Sequence, residues 1–181
     1  MGSVYSYFFG REFIVMLSGL DNSGKTSLIH SFKSRNLNAP DVPYYKQHSL
    51  RGHRLHEVSV DNSTLKLFEI DSDEKDKMHK ELLSQIQGLV YVIDSVDVTR
   101  LDQSKSCLHK ILTLHEKKGK PVLILVNKID RYDKKGILYE DPALIEEKFD
   151  LRRLIDLDMF HFQPCSIIFQ QGVKQGSRWL T

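Results

Sequence analysis

The segment at residues 19–27, GLDNSGKTS, constrains the fold of this chain more than any other stretch of its sequence. It has the form G-x-x-x-x-G-K-[ST], in which glycines bend the backbone so that successive N–H groups point at phosphate oxygens. An apolar run precedes it at residues 13–17, and apolar residues follow it at helical spacing: Leu28, Ile29 and Phe32. This order of strand, loop and helix is what the motif requires, so the sequence predicts a nucleotide phosphate site.

The motif also predicts roles for its residues. The ammonium of Lys25 would lie on the β and γ phosphates, and the hydroxyl of Thr26 would coordinate Mg²⁺. The positive N-terminal end of the following helix adds to the attraction for anions. The predicted phosphate-binding residues are Gly19, Asp21, Asn22, Ser23, Gly24, Lys25, Thr26 and Ser27.

The rest of the chain alternates strand-like apolar runs with helical patterns. Strands are predicted at residues 13–17, 56–60, 64–70, 89–93, 122–126 and 159–162, and residues 35–52 are predicted to form a long loop. Asp141 and Pro142 are typical of a helix start, and residues 173–180 are predicted to form a final helix. We therefore expect an α/β domain at residues 13–181, with a mostly parallel six-stranded sheet and helices on both faces. Residues 1–12 would form an N-terminal extension.

Composition excludes several classes of protein. The net charge of +2 gives no reason to expect nucleic acid as a partner. Cys107 and Cys165 lack metal-like spacing and fit a reducing cytoplasmic compartment, and no apolar run approaches the ~20 residues needed to cross a bilayer. The histidines His48, His53 and His56 have loosely metal-like spacing, but we interpret them as part of a solvated loop.

The identity of the nucleotide base is predicted from Asn127, Lys128 and Asp130, which follow the apolar run at residues 122–126. A carboxylate at Asp130 can accept from both the ring N1–H and the amino group of guanine. Adenine presents an acceptor at the ring position and would leave that buried carboxylate unpaired, which favours GTP or GDP over ATP. Asn127 would hold the loop, and the stem of Lys128 would cover the ring. Cys165 and Ser166 follow the last strand, where a loop of guanine-binding proteins presents main-chain N–H to the base oxygen, so the same role is expected of them.

Several of these segments together resemble the ADP-ribosylation factor (Arf) family of small GTPases: GLDNSGKTS, QGLVYVIDSVD, NKID, PCSI and GVKQGSRWLT. The resemblance covers most of the chain in the family's order and weakens over residues 34–87 and 131–158. It implies a Ras-like P-loop NTPase fold, binding of GTP and GDP with Mg²⁺, and recruitment of effectors at membranes. By the same resemblance, effectors or regulators would engage residues 36–56 and 71–87. The chain would be cytoplasmic or peripheral on a membrane.

The chain departs from the family's pattern in both nucleotide-sensing segments. No threonine lies between Thr26 and Thr64 to reach Mg²⁺ and the γ-phosphate; Tyr44 is the nearest match by position, and Ser49 is an alternative. The second segment reads Asp-Ser-Asp-Glu-Lys at residues 71–75, where the family has Asp-x-x-Gly followed by glutamine. We favour Asp71 as the residue that holds Mg²⁺ through water, and a shifted alignment places Glu69 there instead.

These departures predict nucleotide binding with weak or absent intrinsic hydrolysis. The glutamine position falls on Lys75, or on Asp73 in the shifted alignment, and neither side chain both donates and accepts as an amide does. Catalysis in this chemistry is largely positioning and electrostatics, so the loss matters. Lys75, or a partner protein, remains a candidate for rescuing hydrolysis.

Two alternatives and one modification complete the interpretation. A scaffold subunit that holds GTP permanently would need no catalytic glutamine, and a P-loop kinase or ATPase is disfavoured by Asp130. The N-terminal sequence MGSVYS matches the myristoylation pattern at Gly2, although Met-Gly-Ser is also a common expression remnant. A single myristoyl chain binds membranes only marginally, so the N-terminal aromatic residues would supply a second contact.

Overall fold

The computed structural model describes residues 12–34, 46–50, 53–60, 63–70, 84–114, 119–131, 142–151 and 159–180. Their strands are β1 (Glu12–Gly19), β2 (Lys46–Leu50), β3 (His53–Val60), β4 (Ser63–Glu69), β5 (Gly88–Asp94), β6 (Val122–Asn127) and β7 (Phe160–Pro164). Their α-helices are α1 (Lys25–Ser34), α2 (Leu101–Leu114), α3 (Pro142–Lys148) and α4 (Val173–Leu180), and short 3₁₀ turns occupy Val98–Arg100 and Ile129–Arg131.

These strands form one sheet in the order β2-β3-β4-β1-β5-β6-β7. From β4 to β7 all neighbouring strands are parallel, whereas β2, β3 and β4 pair antiparallel at one edge. The predicted mostly parallel α/β fold is confirmed, as are the helix that begins at Pro142 and the final helix.

In the part of the chain that the structure describes, the sheet has seven strands where the sequence predicted six. The additional strand, β2, lies within the segment interpreted as a long loop, and it pairs antiparallel with β3 from Lys46 opposite Glu57 to Leu50 opposite His53. Its sequence, KQHSL, lacks the apolar alternation that identifies a half-buried strand. The sheet edge therefore supplies a pairing that the local pattern does not encode.

Two apolar cores lie on the two faces of the sheet. One joins α1 and α4 to residues of β1, β3, β4, β5 and β6, including Leu28, Ile29, Val58, Leu67 and Leu180. The other joins α2 and α3 to the opposite face and includes Phe68, Leu108, Ile111, Ile145 and Phe149. Each fully buried side chain of this size contributes about 1.5–3 kcal/mol relative to exposure, so helix packing fixes where the loops emerge.

Gln87 and Gly88 hold β1 and β5 together near the start of each strand. The main-chain N–H of Gln87 donates to the carbonyl of Ile14, and the Gln87 side-chain oxygen accepts from the N–H of Ile14 at 3.0 Å. A Cβ at Gly88 would lie 3.3 Å from the carbonyl oxygen of Pro121, which explains the small residue. This anchoring aligns β1 with β5, so that their carboxyl ends meet at one edge of the sheet.

The described helices include none with the length and apolar character needed to cross a membrane.

Candidate nucleotide-binding site

The loop between β1 and α1 is shaped by glycines and packs tightly against its neighbours. Gly24 has a φ of +112°, in the region that favours glycine, and a Cβ there would lie 2.3 Å from the side-chain nitrogen of Asn127. A Cβ at Gly19 would lie 2.4 Å from the carbonyl oxygen of Val92 at the end of β5. These two glycines therefore let the loop close against both β5 and β6.

Lys25 and Thr26 stand at the start of α1, as the motif requires. Lys25 is buried, and its ammonium donates to the carbonyl oxygens of Gly19 and Leu20, each at 3.1 Å. The positive charge is thus held inside the curve of the loop. The hydroxyl of Thr26 lies 3.4 Å from a carboxylate oxygen of Glu69, at the end of β4.

Glu69 is the carboxylate that the described residues bring to Thr26. Sheet register places it there, because Leu17 near the end of β1 pairs with Glu69 at the end of β4. The sequence favoured Asp71, which lies outside the described residues, so its role stays a prediction. Lys75, Tyr44 and Gly2 also lie outside them, as do residues 71–83 of the predicted effector surface.

The structure corrects the interpretation of the three histidines as part of a solvated loop. His48 lies in β2 and His53 in β3, while His56 is a buried residue of β3 with its Nε2 atom 3.6 Å from a carboxylate oxygen of Glu69. The physical reason is strand alternation, because His56 shares the face of β3 that carries the buried Val58.

Asn127 connects the phosphate loop to the loop after β7. Its side-chain nitrogen donates to the carbonyl of Ser23 at 2.8 Å, and its side-chain oxygen accepts from the main-chain N–H of Ile167 at 3.1 Å. The thiol of Cys165 lies 4.0 Å from the same oxygen. One buried side chain thus ties together three segments that are distant in sequence.

Asp130 and Ser166 meet at the other end of the site. The hydroxyl of Ser166 donates to a carboxylate oxygen of Asp130 at 2.5 Å, a contact that the sequence reasoning missed because it assigned Ser166 only a main-chain role. The neighbouring Cys165 is fully buried, and burial together with the charge of Asp130 raises the pKa of its thiol to about 12. The Ser166 hydroxyl therefore orients one oxygen of the carboxylate, and the carboxylate lines the cleft.

Lys128 is held by a carboxylate that the sequence reasoning did not single out. Its ammonium lies 2.6 Å from a side-chain oxygen of Asp94, while the other oxygen of Asp94 accepts from the N–H of Val96. Lys128 also has a φ of +71°, which is uncommon outside glycine. Asp94 ends β5 opposite Asn127, so its position at the carboxyl edge of the sheet was the available signal.

A second missed residue, Arg100, contacts the phosphate loop from the turn before α2. Its guanidinium donates to the Asp21 carboxylate at 2.7 Å and to Asp97 at 2.6 Å. Asp21 is exposed, so this pair restrains the rim of the loop without burying charge.

The phosphate loop and the Asn127–Asp130 segment line a single cleft of about 470 Å³. Its lining residues are Asn22, Gly24, Lys25, Thr26, Ser27, Asn127, Lys128, Asp130, Arg131, Ile167 and Ile168. One end presents the Lys25 ammonium, and the other presents the carboxylate of Asp130. An elongated ligand with an anionic end and a hydrogen-bond-donating end matches this arrangement.

The donor chemistry near Thr26 fits Mg²⁺ better than a transition metal. Within the described ranges, no group of three or more His, Cys, Asp or Glu side chains is arranged to hold a metal ion. Mg²⁺ prefers oxygen ligands and keeps several waters, and it commonly uses one or two carboxylates together with substrate phosphates. The hydroxyl of Thr26 and the carboxylate of Glu69 suit that pattern.

Comparisons with known proteins agree with this geometry. The chain is 29% identical over 183 residues to the cattle (Bos taurus) ADP-ribosylation factor-related protein 1, covering 99% of this chain and 89% of that protein. It is 31% identical over 169 residues to human (Homo sapiens) ADP-ribosylation factor-like protein 4C, covering 90% of this chain and 81% of that protein. The family model described as the ADP-ribosylation factor family matches residues 1–181. The chain therefore belongs to the ADP-ribosylation factor family.

Proposed function

We propose that this chain binds GTP and GDP with Mg²⁺ and that its intrinsic hydrolysis of GTP is slow or absent. The observation that supports nucleotide binding most strongly is the single cleft lined by both the phosphate loop and Asp130, with Asn127 joining its two ends. Membership of the family supports GTP binding and an Arf-like function in trafficking.

Each end of the cleft has a defined task in this proposal. The main-chain N–H groups of the loop, the ammonium of Lys25 and the positive end of α1 would hold the phosphates. The free lone pairs of Asp130 would accept from guanine, and Ser166 would keep the carboxylate turned toward the base. The Lys128 stem would cover the ring while Asp94 holds its ammonium.

We assign the Mg²⁺ site to Thr26 and Glu69. Their side-chain oxygens are 3.4 Å apart, and both are ligand types that Mg²⁺ accepts. When bound, the ion would neutralise charge on the phosphate oxygens. Asp71 remains the alternative carboxylate, and exchanging Glu69 or Asp71 for the amide separates the two assignments.

Slow hydrolysis follows from the residues after β4. With Glu69 as the metal-site carboxylate, the position of the family's water-orienting glutamine falls on Asp73. A carboxylate accepts hydrogen bonds but does not donate, and its charge repels the γ-phosphate. The glycine of the family's pattern is also absent from residues 69–75.

The cellular proposal follows the family. Residues 36–56 and 71–87 would contact effectors or regulators, and a myristoylated Gly2 would bring the chain to a membrane surface as a peripheral protein. A scaffold that holds GTP without cycling is the second candidate, favoured because Asp73 stands at the position where the family has its glutamine.

Titration followed by a long incubation tests the proposal. The full chain, stripped of bound nucleotide, is titrated with fluorescent GDP, GTP and ATP in Mg²⁺, and phosphate release from GTP is then followed for hours. We expect guanine selectivity with little release. Absence of guanine binding would overturn the whole proposal, whereas a rate typical of small GTPases would overturn only slow hydrolysis. Release that appears only with a partner extract would favour a switch over a scaffold.

A further inference from the structure

We propose that His56 is a positioning residue of the Mg²⁺ site, holding the carboxylate of Glu69 so that one of its oxygens faces Thr26. The inference rests on the proposed function, because that function assigns Mg²⁺ to Thr26 and Glu69. His56 would act through Glu69 and would not touch the ion or the nucleotide.

The register of β3 and β4 creates the contact. His56 is directly opposite Leu67, which places it on the same face as Glu69 and diagonal to it. Diagonal neighbours in an antiparallel pair lie within reach of long side chains. The same face carries Val58, Leu65 and Leu67, which pack with the apolar residues of α1, the helix that begins beside Thr26.

The two oxygens of the Glu69 carboxylate have different neighbours. Oε1 lies 3.4 Å from the hydroxyl of Thr26, and Oε2 lies 3.6 Å from Nε2 of His56. The second distance is longer than a hydrogen bond, so Nε2 of His56 faces this oxygen in a polar contact. One oxygen therefore faces the predicted metal side, and the other faces β3.

The contact between His56 and Glu69 matters because both side chains are largely buried. The Glu69 side chain is 10% exposed and that of His56 is 7% exposed. A buried carboxylate requires polar compensation, and an imidazole on its far side supplies part of that compensation while limiting rotation of the carboxylate. Groups that orient a metal-binding carboxylate affect metal affinity strongly, and their loss typically costs about 10–100-fold.

The test measures Mg²⁺ affinity through nucleotide release. The full chain is loaded with fluorescent GDP, and release into excess unlabelled GDP is followed at a series of buffered Mg²⁺ concentrations and in EDTA. The variants are His56→Leu, His56→Gln and the control His30→Gln, which changes an exposed histidine of α1. The Mg²⁺ concentration that half-suppresses release reports metal affinity.

We expect His56→Leu to raise that midpoint by about 10–100-fold, as expected for loss of a carboxylate-orienting group. His56→Gln retains an N–H donor and should recover most of the affinity, while His30→Gln should match the wild type. Release in EDTA should be equal in all four proteins, because the metal contribution is then absent. In a Glu69→Gln background, His56→Leu should have no further effect.

Three results would overturn the inference. The first is an unchanged midpoint in His56→Leu, and the second is an equal shift in His56→Leu and His56→Gln. The third is a release rate in EDTA that rises as much as the rate in Mg²⁺, because that pattern reports general loosening of the fold. If the wild type binds guanine nucleotide while one of these results is found, only the inference about His56 is overturned. If the wild type does not bind guanine nucleotide, the proposed function and the inference are both overturned.

Discussion

Asn127 donates from its side-chain amide to the carbonyl of Ser23 at 2.8 Å, across 104 positions of sequence. The same side chain accepts from the N–H of Ile167, so it fixes the distance between the phosphate end and the base end of the cleft. In the proposed function a nucleotide spans these two ends. Its binding free energy would then depend on a contact that the protein makes with itself.

Asn127→Ala should weaken GDP binding and lower the free energy of unfolding. The carbonyl of Ser23 and the N–H of Ile167 would lose their bonds, and each buried group left unsatisfied costs about 1–3 kcal/mol. Urea unfolding and fluorescent GDP titration measure the two effects. Gln103→Ala, which removes an exposed amide on α2, is the matched control. Equal behaviour of the two variants would contradict the bridging role.

Asp130→Asn should change which purine is bound. Guanine would face an amide in place of a carboxylate, and losing charged hydrogen bonds worth about 3 kcal/mol lowers guanine affinity about a hundredfold. Xanthine has a carbonyl where guanine has its amino group, so the amide should bind xanthine nucleotides better than the wild type does. Competition of GDP and XDP against a fluorescent nucleotide measures the exchange. Asp102→Asn on the exposed start of α2 should leave both affinities unchanged.

Gly24→Ala should abolish nucleotide binding, whereas Gly119→Ala should leave it intact. Both glycines have a positive φ, which costs an L residue about 1–2 kcal/mol. Only at Gly24 does the added methyl meet another group, 2.3 Å from the Asn127 side chain, while the space at Gly119 is open. Comparing unfolding and GDP binding in the two variants separates backbone strain from the clash. Retained binding in Gly24→Ala would contradict the packing described for the loop.

Alkaline pH should destabilise the protein through Cys165. Burial raises the thiol pKa from 9.0 to about 12, so the folded protein keeps a proton that the unfolded chain releases. The stabilisation is fully present below pH 9.0 and falls by about 1.4 kcal/mol per pH unit as pH rises toward 12. Burial also raises the pKa of Tyr91 above 10.0, which adds a loss in the same direction at higher pH.

Comparison with Cys165→Ala isolates the thiol, because that variant keeps Tyr91. Urea unfolding between pH 8 and pH 10.5 should give a steeper loss of stability in the wild type than in the variant, by about one proton. Equal slopes in the two proteins would show that Cys165 is not protonated in the folded state over this range.

The buried strands and the cleft motifs were predictable from sequence because both are local patterns. All residues of β6 are buried, as its continuous apolar run indicated; Asn127 is its last residue, and Asp130 lies three residues further on. The Lys25–Thr26 end of the loop was predictable for the same reason. Strand, loop and helix are contiguous there, so no pairing between distant segments had to be known.

The rest depended on pairings between distant segments. The sequence offers two carboxylates near the end of β4, Glu69 and Asp71. The pairing of Leu17 with Glu69 brings Glu69 beside Thr26, whereas Asp71 lies outside the described residues and its role stays a prediction. His56 was grouped with His48 and His53 as a loop histidine, although the strand predicted at residues 56–60 begins with it; in the structure β3 extends back to His53. Counting back by two from the apolar Val58 was the available signal that His56 faces inward.

The pairing of β3 has a consequence for any partner that binds the edge of the sheet. Gln47 of β2 is paired with His56, and the other side of β3 is hydrogen-bonded to β4. A slip of β3 by one residue would turn His56 to the opposite face and leave Glu69 without it. A partner that displaced β3 along β4 would therefore disturb the proposed metal site from the edge of the sheet, without approaching the cleft.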